Sequence, residues 1–90
     1  MTRTPTKSAS AEREAFATRL KALRQSYGID IGEPGLTQEE FAKRLGLQGE
    51  TYRRYERGET EPPLRVLAAI RRLTGINLNS LIAGEIDRAA

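Results

Sequence analysis

Between Leu36 and Gly58 the chain reads LTQEEFAKRLGLQGETYRRYERG, and this run leaves the backbone few choices. Thr37 and Glu40 have the Thr-x-x-Glu spacing of a capping box, in which each side chain satisfies the other residue's free backbone N–H at a helix start. Leu36 and Phe41 stand at the two positions of a hydrophobic staple around it. The spacing predicts a short helix over about 38–45, with Phe41, Ala42 and Leu45 as its buried stripe and Gly46 as its stop. Only Leu47 and Gln48 separate that stop from a second helical segment, about Gly49 to Arg57, which ends at Gly58. Two brief helices joined by so short a glycine-containing turn cross at a steep angle. Tyr52 and Tyr55 are the expected inward residues of the second, with Thr51 near the crossing.

The flanks supply further helices. Phe16, Leu20, Leu23 and Tyr27 recur at spacings of four, three and four, one stripe of a helix over about 11–27. Glu12 and Glu14 favour its first turn, and Gly28 stands where a left-handed cap is wanted. Residues 28–36, GIDIGEPGL, hold three glycines and a proline and read as a loop, with Ile29 or Ile31 tucked against the body. After the polar turn ETEPP, whose prolines suit a helix start, Leu64, Leu67, Ala68, Ile70 and Leu73 mark a fourth helix that ends at Gly75. Asn77 or Asn79 can cap a final short helix carrying Leu78, Leu81 and Ile82. No strand pattern or internal repeat is present. The expectation is one all-α domain of five helices over 11–84, between a disordered N-terminal tail (1–10) and a C-terminal tail (85–90).

Composition removes whole classes of function. The 90 residues include no cysteine, and so no disulfide, thiolate metal site or cysteine nucleophile. The absence of histidine removes the usual proton shuttle and the commonest metal ligand. No catalytic group, metal site or cofactor is expected. No apolar run approaches the ~20 residues that span a bilayer, and the opening MTRTPTKSAS lacks the apolar stretch of a secretory signal. A cytoplasmic, bacterial or phage-like setting is the default. The net charge of +3 is mild, but its distribution is uneven. Arginines collect at Arg53, Arg54 and Arg57 and again at Arg65, Arg71 and Arg72, while Asp30, Glu33, Glu39 and Glu40 make an acidic segment.

The runs LTQEEFAKRLGL, TYRRYERG and PPLRVLAAIRRLTGINLNSLI, in this order, resemble the phage-repressor or xenobiotic-response-element type of helix-turn-helix domain over roughly residues 16–84. The resemblance implies the five-helix lambda-repressor-like fold, with the third helix as the recognition helix. It also implies a partly buried ion pair between Arg24 and Glu56 that locks this helix to the body. If the family's docking is kept, Gln38 meets a phosphate, and Gln48, Gly49, Glu50, Thr51, Arg53 and Arg54 face the major groove. An arginine fork fits guanine O6 and N7, and Arg57 suits a backbone phosphate. Gly49 has no side chain to read with, and a carboxylate at Glu50 can only accept, for example from cytosine N4.

Two readings follow. In the first, the chain is a small transcriptional regulator that binds duplex DNA, as a homodimer on a pseudo-palindrome joined through Leu78, Leu81, Ile82 and Ile86. In the second, the scaffold is a protein-binding module, an antiactivator or antitoxin-like inhibitor, that holds another regulator through the third helix and the 28–36 loop. That loop inserts about seven residues relative to the family, a length often put to functional use.

Overall fold

A computed structural model describes residues 5–85, with side chains from residue 10 onward. It contains α1 (Pro5–Asp30), α2 (Gln38–Arg44), α3 (Gly49–Glu56), α4 (Leu64–Thr74) and a π-helical turn, α5 (Asn79–Ala83), and no strand among the described residues. The fold is all-α, with five helices in the predicted order. Residues 1–4 of the expected N-terminal tail and residues 86–90 of the C-terminal one, Ile86 among them, lie outside the described residues.

The core joins Phe16 and Leu20 of α1, Phe41 and Ala42 of α2, Tyr52 and Tyr55 of α3, Val66 and Ile70 of α4, and Leu81 of α5. Phe41 is fully buried and bridges two rings: its centroid lies 5.7 Å from that of Tyr27 and 5.4 Å from that of Tyr52, the latter in an edge-on arrangement. Helix α2 starts as its sequence dictates. The Thr37 hydroxyl accepts from the Glu40 N–H at 3.1 Å, and the Thr37 N–H donates to the Glu40 carboxylate at 3.0 Å. That backbone N–H, together with the Thr37 hydroxyl, holds the Glu40 carboxyl below its ordinary range.

Helix α1 is longer than its apolar stripe at both ends. It begins at Pro5, a residue whose fixed φ suits the first helical position, so residues 5–10 are helical where a tail was expected. It also runs through Gly28 to Asp30, and Gly28 is not in the left-handed region. The reason for a glycine there is proximity. A Cβ on Gly28 would lie 2.7 Å from the Glu33 carbonyl oxygen and 2.9 Å from the Leu36 Cβ, so the returning loop needs the space. The extension carries Ile29 outward; it is 65% exposed and Ile31 37%, so neither tucks into the body. The chain reverses at Gly32 and Gly35, both at positive φ, and Leu36 then enters the core.

Helix α4 keeps Leu67, Ile70 and Leu73 of the predicted stripe against the core, but its buried face takes in Val66 instead of Leu64. Val66 and Ile70, one turn apart, point inward, while Leu64 at the first turn is 78% exposed. The run LRVLAAI carries apolar residues on more than one face, so periodicity alone leaves its rotation open. The Asn77 side chain accepts from the Asn79 N–H at 2.7 Å and opens α5. Arg19 of α1 closes it, donating to the Leu81 and Ile82 carbonyl oxygens at 2.8 Å each.

Candidate nucleic-acid interface

Helix α3 has an inner and an outer side of different chemistry. On the inner side, Glu56 places a carboxylate that is only 3% exposed among donors from three helices. Arg24 of α1 donates through Nε to Oε2 at 2.8 Å and through Nη2 to Oε1 at 3.1 Å, a two-pronged pair. Gln38 of α2 donates to Oε1 at 2.8 Å, and the Tyr52 hydroxyl donates to Oε2. The remaining Arg24 prong reaches the Leu36 carbonyl at 2.7 Å. Burial alone would push the Glu56 carboxyl up; the hydrogen bonds from Arg24, Tyr52 and Gln38 outweigh it and hold the group below the usual carboxylate range. Burial, followed by the bond to Glu56, pushes the Tyr52 hydroxyl up, so it remains a donor at any ordinary pH. The bond to Glu56 likewise raises Arg24.

This network alters the part expected of Gln38. Its amide is turned toward Glu56, where it acts as a strut between α2 and α3, with one N–H left to donate elsewhere. Arg24 and Glu56 meet, and the pair fixes α3 against both of its neighbours.

On the outer side, Gln48, Glu50, Thr51, Arg54 and Arg57 are exposed and Arg53 is half-buried. Gln48 precedes α3 without its side chain capping the helix, so its amide is unengaged there. Glu50 gathers the cations. Its carboxylate accepts from Arg53 Nε at 3.2 Å and from Arg57 Nη2 at 2.9 Å, and Arg54 Nε lies 3.7 Å away. Glu59, just beyond the helix, takes the Arg57 Nε at 2.8 Å. The arginine contacts, Arg57 first, hold Glu50 below its ordinary range, and Arg57 does the same for Glu59. Arg57 is raised in turn, by Glu59 and then Glu50. Each of these pairs is exposed, so their effect on stability is small and their effect on the surface field is the larger one. Gly49 lies close under this cluster: a Cβ there would be 3.2 Å from Arg53 Nη1 and 3.4 Å from the Glu39 carboxylate.

Reading α3 residue by residue misses the joint role of Glu50 and the part played by Glu59. The signal is in the sequence: Arg53, Arg54 and Arg57 follow Glu50 at three, four and seven residues, one stripe of a helix. The expected dimer residues divide. Leu81 is fully buried in the chain's own core and is not a surface residue, because α5 packs it against α1. Leu78 packs partly on that core, and Ile82, 45% exposed, borders a shallow groove with Phe16, Pro62 and Leu67. Among the described residues no His, Cys, Asp and Glu group could hold a metal ion, and no helix is long and apolar enough to cross a membrane.

Comparison with known proteins agrees with this geometry. Residues 20–81, which hold α2, α3, α4, the C-terminal part of α1 and the start of α5, match a family model described as helix-turn-helix. The chain is 32% identical over 69 residues to an SPbeta prophage-derived uncharacterized HTH-type transcriptional regulator, YonR, of Bacillus subtilis (strain 168). That alignment covers 77% of this chain and 57% of the relative, so the chain spans little more than half the relative's length. No solved structure matches. A capped short helix, a four-residue turn, a locked second helix and this family match have one meaning: the chain belongs to the helix-turn-helix family of the phage-repressor, xenobiotic-response-element type.

Proposed function

We propose that this chain is a DNA-binding transcriptional regulator that seats α3 in the major groove of a duplex. The observation that carries the reading is the two-sided α3: Tyr52, Tyr55 and Glu56 anchor it inward, while Arg53, Arg54, Arg57 and Gln48 stand on the side away from the core. Guanidiniums supply phosphate affinity and, at a guanine edge, two-pronged base contacts worth ~1–3 kcal/mol of discrimination each. The description of the prophage relative as a transcriptional regulator supports the same reading. A homodimer on a pseudo-palindromic site would join through Ile82 and its groove, the exposed part of the α5 surface.

The test is a titration of fluorescent duplexes at increasing salt. Affinity is expected to fall steeply, with a slope near −0.9 for each phosphate contacted in a log–log plot. Arg54→Ala is expected to weaken binding to a selected site by about tenfold or more while relaxing preference at a single base pair. Salt-independent or absent association would dismiss the reading.

One observation favours a second function. Ile29 and Ile31 are exposed beside Asp30 where the end of α1 passes into the loop, the composition of a protein contact. A protein-binding module of the antiactivator or antitoxin-like kind would show weak, sequence-blind DNA association, and Ile29→Asp would abolish capture of its partner without changing that association.

A further inference from the structure

We infer that Glu50 is a specificity determinant that withholds the α3 arginines from arbitrary duplex and releases them where the groove offers the amino group of a C·G pair. The inference rests on the reading that α3 enters the major groove.

A single carboxylate, in the first turn of α3, stands within 4 Å of three guanidiniums: Arg57 at 2.9 Å, Arg53 at 3.2 Å and Arg54 at 3.7 Å. Glu59 occupies a further face of Arg57. Three arginines less two glutamates leave the outer side of residues 50–59 with a net charge of only one from this cluster. Carboxylate oxygens and phosphate oxygens compete for the same N–H groups. When an arginine moves from Glu50 to a phosphate, the carboxylate loses a donor and is left facing a polyanion. Arbitrary DNA gives nothing in exchange. A C·G pair does, because its major-groove edge presents the cytosine N4 amino donor beside the guanine O6 and N7 acceptors. Glu50 can accept from the first while Arg53 or Arg54, three or four residues along the same stripe, donates to the second. The ion pair seen in the free protein is thus matched, donor for acceptor, to the two halves of one base pair. The sequence poses the question of why a carboxylate stands in a helix built to approach phosphate; restraint of its neighbours is the answer.

The experiment compares the full chain with Glu50→Gln and Glu59→Gln by anisotropy on a random-sequence duplex over a salt series, and by selection from a randomised duplex library. Both side chains are exposed, and matching melting temperatures establish that the variants fold. Glu50→Gln is expected to tighten binding to random duplex by about tenfold at low salt, to steepen the salt slope by about 0.9, one phosphate contact, and to lose a C·G preference that the parent selects. Glu59→Gln is expected to tighten random binding while selecting the same site as the parent. Unchanged or weaker binding of Glu50→Gln to random duplex, or a selected site identical to the parent's, overturns the role of Glu50 and leaves DNA binding standing. If neither the parent nor either variant binds any duplex at any salt, the function itself falls, and this inference with it.

Discussion

Replacing Glu56 by alanine is expected to cost the domain roughly 3–5 kcal/mol, because it leaves a buried guanidinium without its anion. Arg24 is only 11% exposed at its side chain and directs two of its prongs at that carboxylate. Gln38 and Tyr52 lose an acceptor in the same step. At about 4 °C per kcal/mol for a domain of this size, the melting temperature should fall by at least about 12 °C. Thermal and urea unfolding followed by circular dichroism would measure it. The contrast is with Glu50→Gln, which removes an anion near three arginines yet should barely move the midpoint, since those arginines are hydrated already. Equal midpoints for the Glu56 variant and the parent would show that the pair is as dispensable as a surface one.

The same group sets a direction for pH. Glu56 is held below its unfolded value, so it stabilises the fold fully above that value, near 4.5. Its contribution is lost as pH falls through the still lower folded value, where protonation undoes the pairing with Arg24. Acid unfolding of the parent below pH 4.5, with a weaker acid dependence in Glu56→Gln, is the expected pattern.

Gly28→Ala should be the second most damaging change, at about 1–3 kcal/mol, although alanine is ordinarily the better helix former by ~1 kcal/mol. The new methyl would meet the Glu33 carbonyl at 2.7 Å and Leu36 Cβ at 2.9 Å, and neither is a flexible side-chain tip. Leu36 is buried and its carbonyl holds Arg24, so a shift of the loop would travel to the network under α3. Urea unfolding checks the sign. A gain in stability would mean that the loop does not press on the helix.

These two glycine and glutamate positions illustrate what a single sequence carries. The capping box at Thr37 and Glu40, the staple and the turn at Gly46 are local: each residue's partner lies within a few positions, so spacing alone exposes them. Gly28 is legible as a glycine that matters, but not why, since cap geometry and close approach both ask for glycine and the second depends on a loop folding back. The rotation of α4 depends on how its apolar residues meet the shared core, and Leu64 and Val66 compete for the inward place on equal terms in the sequence. At the outer side of α3 the arginines are evident from the string. Their shared tie to Glu50 requires reading the three spacings together, and the Gln38 strut joins helices that a one-dimensional pattern cannot bring into contact.

Arg19 has a consequence for how the molecule comes apart. By holding the Leu81 and Ile82 carbonyls of α5 from a helix 62 and 63 residues earlier, it makes that turn a latch on the first helix instead of a fraying end. Chain ends ordinarily exchange their amide protons by local opening. Here the amide of Leu81 should exchange only as fast as the whole domain unfolds, and cutting the latch with Arg19→Ala should free it to exchange through a small, separate opening.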